Sequence, residues 1–126
     1  MDFVLLCVLV VVMVVVAGWR VQHRAAATRE AARAFLAQGA IVVDARSAAE
    51  FARGHHPGAI NLPPEAWDGD LTRVGPLEGP LVVYCASGLR SRQLSARLGA
   101  AGFTALLDVG SARIIEGLPR ARSEDS

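Results

Sequence analysis

One stretch of the chain, LVVYCASGLRSRQL at positions 81–94, constrains the fold more than any other. Its first five residues are apolar or favour β structure, and they predict a short strand buried on both faces. A small loop follows at 86–90, and Ser91 is then expected to cap a helix over 92–102. Cys85 would thus lie at a strand tip just before a helix N-terminus. That position stabilises a thiolate, because free backbone N–H groups and the positive end of the helix dipole point at it.

Short apolar strands alternate with helical segments through the rest of the globular part. Further strands are predicted at 40–45, 59–62 and 103–109, and a short last helix at 111–117. Ser47 with Glu50 three positions later forms a capping box that begins a helix over 48–53. This alternation predicts an α/β fold, a parallel sheet with helices on both faces. Ligands bind beyond the carboxyl ends of such strands, and Asp44 and Cys85 both fall there.

The loop after Cys85 has the composition of an anion nest. If the loop curls, its N–H groups converge above the sulfur, and Gly88 permits the positive φ that curling needs. Arg90 adds a charged planar fork suited to a sulfur or phosphorus oxyanion. A plain buried cysteine is the alternative, but the combination of residues favours a nucleophile with a lowered pKa. The predicted site is Cys85 as catalytic residue, with substrate bound by Ala86, Ser87, Gly88, Leu89, Arg90 and Ser91.

The N-terminal run FVLLCVLVVVMVVVAGW, residues 3–19, holds no charged or strongly polar side chain. At ~1.5 Å per residue it spans about 26 Å, the short end for crossing a bilayer. A run apolar on every face fits lipid better than a protein core, so a bilayer-spanning anchor is predicted. Arg20, His23 and Arg24 follow the run, and this positive flank predicts that the domain stays in the cytoplasm.

A cleavable signal peptide, followed by export, is the rival interpretation of this run. Such a peptide has a positive N-terminal region, whereas Asp2 is the only charge before the run. The alanines at 25–27 could nevertheless mimic a cleavage region. We therefore expect a transmembrane anchor at 1–19, a helical linker at 20–39 ending at Gly39, a compact domain at 40–119, and a disordered polar tail at 120–126.

Charge and cysteine content exclude several classes of protein. The net charge of +1 predicts no nucleic-acid partner. Cys7 lies in the apolar run and Cys85 in the domain, so a disulfide-stabilised scaffold and a cysteine-rich zinc site are both excluded.

Several motifs together resemble one known family. The chain carries D-A-R at 44–46, E-F at 50–51, G-H-H-P-G-A-I-N at 54–61 and C-A-S-G-L-R-S at 85–91. Spread over residues 40 to about 119, they resemble the single-domain rhodaneses, which are sulfurtransferases with a three-layer α/β fold. His56 stands where that family prefers an aliphatic residue, and we expect both His55 and His56 to support the turn.

The resemblance implies a persulfide mechanism without metal or cofactor. A small sulfur-donor anion such as thiosulfate would pass its outer sulfur to Cys85, with Arg90 and the loop amides holding the anion. Cyanide or a thiol would then accept the sulfur. Because the soluble part has no second cysteine, an external thiol or acceptor protein is implied. Asp44, Arg46 and Glu50 are expected to form a supporting ion-pair network.

Two other functions remain open at the level of sequence. A phosphatase or arsenate reductase could use a similar loop, but related dual-specificity phosphatases place five residues between cysteine and arginine. Here four residues separate Cys85 from Arg90, and a smaller ring suits sulfur. The other alternative is a non-enzymatic, membrane-tethered persulfide carrier or scaffold in a sulfur relay.

Overall fold

The computed structural model describes residues 2–122. Within them lie α1 (Phe3–Ala37), β1 (Ile41–Asp44), α2 (Ala48–Ala52), β2 (Ile60–Asn61), β3 (Leu81–Cys85), α3 (Leu89–Ala101), β4 (Leu106–Ser111) and a 3₁₀ helix (Ala112–Ile115).

The four strands form one parallel sheet in the order β2-β1-β3-β4. Asp44 pairs with Tyr84, and Cys85 pairs with Ser111. After β1 the chain forms β2 on one side of β1, and it then crosses over to form β3 on the other side of β1. The carboxyl ends of β1 and β3 therefore flank the topological switch point, where sheets of this kind bind ligands. The predicted α/β fold with a parallel sheet is confirmed.

Helices cover both faces of the sheet, and the period of two along β3 explains why. Val82 and Tyr84 face α1 and the 3₁₀ helix, while Leu81, Val83 and Cys85 face α3. All five residues of β3 are buried. Leu94 and Leu98 of α3 are 0% exposed, and each contributes about 1.5–3 kcal/mol through burial of its side chain.

Helix α1 is continuous from the apolar run into the domain. Residues 3–24 are exposed, whereas Ala32 and Leu36 are buried against the sheet. The helix ends as expected, with Gly39 at φ +81° after Gln38. It is long and apolar enough to cross a membrane, with none of its apolar window buried in the protein.

Two predicted boundaries in the second half of the domain were wrong. Helix α3 begins at Leu89 rather than residue 92, so its N-cap is Gly88, at φ +104°, and not Ser91. The reason is that Gly88 turns the chain directly into the helix, which leaves Ser91 in its first turn. Strand β4 covers 106–111 rather than 103–109. Gly102, at φ +115°, ends α3, and the chain must turn before Ala105 meets Leu81.

The end of the described chain packs onto the domain. Ala121 is 4% exposed, its N–H donates to the Pro57 carbonyl at 2.9 Å, and the Arg122 N–H donates to Ala40 at 3.3 Å. The expectation of disorder was therefore wrong for these two residues, while 123–126 lie outside the described residues. Gly58 permits the approach, because a Cβ there would lie 2.7 Å from the Ala121 carbonyl oxygen. The other domain boundaries stay predictions.

Candidate active site

Cys85, the last residue of β3, lies beneath the loop that joins the strand to α3. The residue is 0% exposed, and its Sγ accepts a hydrogen bond from the Gly88 N–H at 2.8 Å. The left-handed conformation of Gly88 folds the loop back over the sulfur. Ser91, also buried, donates its hydroxyl to the Gly88 carbonyl at 3.1 Å and fixes the base of the loop.

The pKa of the Cys85 thiol is lowered by a balance of opposed effects. Burial is the largest and acts to raise the pKa, because it disfavours a charged sulfur. Hydrogen bonding from Ser91, through its side chain and its N–H, and from the N–H groups of Gly88 and Ser87 outweighs burial. Since the Ser91 hydroxyl has one proton, it must turn away from the Gly88 carbonyl to donate to a thiolate. The loop therefore favours the nucleophilic form of the cysteine.

The outer surface of the loop is open to solvent. Ala86 and Ser87 are exposed, and Leu89 is 62% exposed. Behind the loop, a Cβ placed on Gly88 would lie 3.7 Å from the Cα of Gly110 in β4. The loop thus rests on the end of β4, while its other side meets solvent.

Arg90 is engaged by Glu50 at the flank of the loop. Its two terminal nitrogens donate to the two Glu50 carboxylate oxygens at 2.6 and 3.1 Å, joining α3 to α2. The Arg90 hydrogen bonds are the main reason that the pKa of Glu50 falls to about 2, and Ser47 adds to the effect through the capping box. In turn, the Glu50 hydrogen bonds raise the pKa of Arg90. Arg90 is therefore oriented, and its charge is partly offset, before any anion binds.

Asp44 and Arg46 form a second ion pair. Asp44 is 0% exposed, and its oxygens accept from the Arg46 guanidinium at 2.8–3.1 Å and from the Arg46 N–H at 2.8 Å. The Asp44 bond is the leading cause of a raised Arg46 pKa. Among the described side chains, no bond joins this pair to Glu50. The expected single network of Asp44, Arg46 and Glu50 was therefore wrong, and two separate pairs brace the two sides of the site.

Tyr84 is a structural residue that the sequence analysis missed. Its hydroxyl donates to Asp44 at 2.8 Å and accepts from the His56 N–H at 3.1 Å. Burial is the main reason that its pKa is raised to about 12. The sequence offered one indication of this role, a single tyrosine in an otherwise apolar strand, since a buried tyrosine hydroxyl usually finds a hydrogen-bond partner. Tyr84, which directly precedes Cys85, thus links the turn before β2 to Asp44 at the end of β1.

Both histidines belong to this turn, as expected, but the His56 ring is buried and does not pack on the surface as predicted. The His55 ring stacks on Phe51 with 3.6 Å between centroids, and its Nδ1 lies 2.9 Å from the Phe51 carbonyl oxygen. Nε2 of the buried His56 lies 2.9 Å from the Pro119 carbonyl oxygen.

A cavity of about 340 Å³ beside the two histidines is lined by Arg46, Tyr84 and Arg113 among others, but not by Cys85. Within residues 2–122, no group of three histidine, cysteine or acidic side chains could hold a metal.

Comparisons with known proteins agree with this geometry. Residues 28–114 match the family described as Rhodanese-like domain. The chain is 35% identical over 80 residues to a thiosulfate sulfurtransferase GlpE from Pseudomonas syringae, covering 64% of this chain and 74% of that protein. It is 37% identical over 75 residues to the GlpE of Pseudomonas fluorescens, covering 60% and 68%.

Solved structures show the same resemblance. A rhodanese with anions from E. coli superimposes with a TM-score of 0.56 at 28% identity, covering 63% of this chain and 93% of that one. The human single-domain sulfurtransferase TSTD1 gives a TM-score of 0.52 at 27% identity, with 60% and 80% covered.

Proposed function

This chain belongs to the rhodanese-like domain family, and from that premise we propose that it moves sulfane sulfur from thiosulfate to a thiol through a persulfide on Cys85. The broader activity, that of a rhodanese-type sulfurtransferase, follows from its similarity to named sulfurtransferases. The observation that carries the finer proposal is the 2.8 Å hydrogen bond from the Gly88 N–H to the Cys85 sulfur. An amide aimed at the Cys85 sulfur stabilises its thiolate, which is the nucleophile of the first displacement and the leaving group of the second.

The proposed reaction has two displacement steps. The Cys85 thiolate attacks the outer sulfur of thiosulfate, a new S–S bond forms, and sulfite leaves with the electron pair of the bond that breaks. An acceptor thiolate then attacks the outer sulfur of the persulfide, which returns Cys85 to its thiolate form. Loop N–H groups hold the anionic sulfur in both steps, and Arg90 adds a positive charge at the flank.

Complete burial of Cys85 adds a requirement to this mechanism. A donor can contact the sulfur only when the loop shifts. Ala86, Ser87 and Gly88 carry small or no side chains, so such a shift displaces little packed volume. The donor must accordingly be small, as thiosulfate is.

Thiocyanate formation from thiosulfate and cyanide tests the proposal, with Cys85→Ser as the matched control. The wild type should turn over, the variant should not, and mass spectrometry should find one additional sulfur atom on the wild-type protein after thiosulfate treatment alone. Equal rates for the two proteins, with no added sulfur on Cys85, would exclude both the enzyme and the persulfide carrier.

We also propose that residues 3–19 anchor the protein in a bilayer with the domain in the cytoplasm. The exposed apolar residues of α1, such as Val11 at 60% and Met13 at 73%, support insertion in lipid. Arg20 and Arg24 on the domain side support the cytoplasmic orientation. Alkaline carbonate extraction should leave the full-length chain in the membrane pellet. Recovery of a shortened soluble protein would instead identify a cleaved signal and export.

A further inference from the structure

The direction of α1 across the sheet places the two ends of the domain at different distances from the apolar run. At the C-terminal end of α1, the Ile41 N–H donates to the Pro80 carbonyl, at the edge where β1 and β3 begin. Eight residues before Ala37, the last residue of α1, Arg29 donates to the carbonyls of Ile114 and Glu116 at 3.0 and 2.7 Å, beyond the end of β4. The helix therefore runs antiparallel to the strands and reaches their carboxyl edge at Arg29.

The lengths of the elements agree with this direction. Eight helical residues rise about 12 Å, and the five residues of β3 span about 13 Å between its first and last Cα atoms. Upstream of Arg29, α1 continues without a break to Phe3. The carboxyl edge, which holds the Cys85 loop, is therefore the edge nearer to the apolar run. From Arg29 to Trp19 the helix rises about 15 Å.

We propose that the Cys85 loop faces the membrane, and that its sulfur acceptor is a cysteine thiol on a short extended segment at the surface of a membrane-embedded protein. The acceptor class rests on the proposed persulfide function and on the proposed anchor. A gap of about 15 Å is half the width of a small folded domain, so it admits an extended segment but excludes a globular partner. It corresponds to about five residues of extended chain beyond the end of a partner's apolar segment.

The charge of the intervening helix suits this arrangement. Arg20, His23 and Arg24 are exposed between the apolar run and the domain. Basic side chains at this position attract anionic lipid headgroups, which keeps this stretch of the helix at the bilayer surface. Because α1 is helical through this region, the gap is set by helix length.

The orientation is tested in vesicles with the full-length chain carrying a single fluorescent label. In a Cys7→Ala, Cys85→Ser background, Glu116→Cys labels the carboxyl edge and Glu78→Cys labels the opposite edge; both glutamates are exposed. Energy transfer to an acceptor on the lipid headgroups should place the Glu116 label nearer to the bilayer, by roughly the 13 Å length of β3. Equal distances, or a nearer Glu78 label, would overturn the orientation whether or not the protein transfers sulfur.

The acceptor class is tested with synthetic transmembrane peptides that carry one cysteine, about five or about twelve residues beyond the apolar segment. A helical insertion of seven residues after Ala27 keeps the helix phase and raises the loop by about 10 Å. The insertion should lower the rate of sulfur transfer about tenfold for the peptide with the short flank of about five residues. Transfer to the peptide with the long flank should persist, and turnover with a free thiol should stay within about twofold of the wild type.

The insertion variant stays in the membrane, so co-localisation alone predicts no loss. Equal transfer to the short-flank peptide by the wild type and the insertion variant would overturn the proposal. Loss of thiocyanate formation by the wild type in the same vesicles would instead count against the proposed function, so the two failures are distinguishable.

Discussion

Replacing Gly88 by alanine should uncouple the catalytic loop from the sulfur. Gly88 adopts φ +104° and ψ −14° as the N-cap of α3, and its N–H donates to Cys85. A Cβ there would meet only Gly110 Cα at 3.7 Å, which is ordinary contact, so the cost is backbone strain and not collision. Left-handed backbone costs a residue with a Cβ about 1–2 kcal/mol. If the loop relaxes instead, Cys85 loses its hydrogen bond and its pKa rises.

Gly99→Ala provides a matched control in the same helix. Gly99 is exposed in the last turn of α3, with nothing within 4 Å of an added Cβ and no positive φ. Alanine there should stabilise the domain by about 0.5–1 kcal/mol, because it favours helix and restricts the unfolded chain. The same chemical change at two positions, eleven residues apart, is thus expected to act with opposite sign.

Denaturant unfolding and the pH dependence of Cys85 alkylation measure the two effects separately. Gly88→Ala should lower the free energy of unfolding or move the alkylation midpoint to higher pH, with slower thiocyanate formation. Gly99→Ala should leave the midpoint unchanged. If Gly88→Ala matches the wild type in stability, midpoint and turnover, the assignment of the loop to thiolate stabilisation is refuted.

Three further predictions follow from the ion pairs and the buried tyrosine. The sole tyrosine, Tyr84, has its pKa raised to about 12 from 10, so stability should hold below pH 10 and fall between pH 10 and 12, with absorbance at 295 nm showing an ionisation midpoint near 12 in the folded protein. Asp44→Asn leaves Arg46 without its partner and should cost about 3–5 kcal/mol in unfolding experiments, against about 1–3 kcal/mol for Tyr84→Phe; equal costs would contradict the pairing. Glu50→Gln keeps the capping box but frees Arg90, so the KM for thiosulfate should fall about twofold to fivefold; an unchanged KM would place Arg90 outside donor binding.

Local patterns in the sequence were sufficient for much of the fold. The apolar run of β3 and the capping box of α2 were predicted because each depends on residues within a few positions of one another. The N-cap of α3 was missed because Ser91 has the stronger statistical preference for a cap, whereas Gly88 is selected by a left-handed turn over Cys85. That turn is fixed by the bond from the Gly88 N–H to Cys85, three residues earlier, and by packing on Gly110 of β4.

The pairing of charges could not be read from one sequence. Glu50 and Arg90 are 40 residues apart, as are Asp44 and Tyr84, and either acid could pair with several arginines. The sheet register decides which of these side chains meet. It aligns Asp44 with Tyr84 and leaves Glu50 on α2 facing the start of α3. Asp44 and Glu50 were expected in one network, and the fold separates them into two pairs.

The separation of the two pairs bears on how the loop handles negative charge. Arg90 reaches the site already bonded to a carboxylate, so its net contribution to anion binding is smaller than that of a free guanidinium. The positive ends of the loop N–H groups are not offset by a carboxylate in this way, and the Gly88 N–H donates directly to the Cys85 sulfur. In the proposed persulfide, the negative charge would lie one sulfur atom beyond the Cys85 Sγ. If Cys85 carries the sulfur as proposed, the backbone N–H groups of the loop are therefore expected to contribute more to anion stabilisation than Arg90, whose bonds to Glu50 hold the flank of the loop.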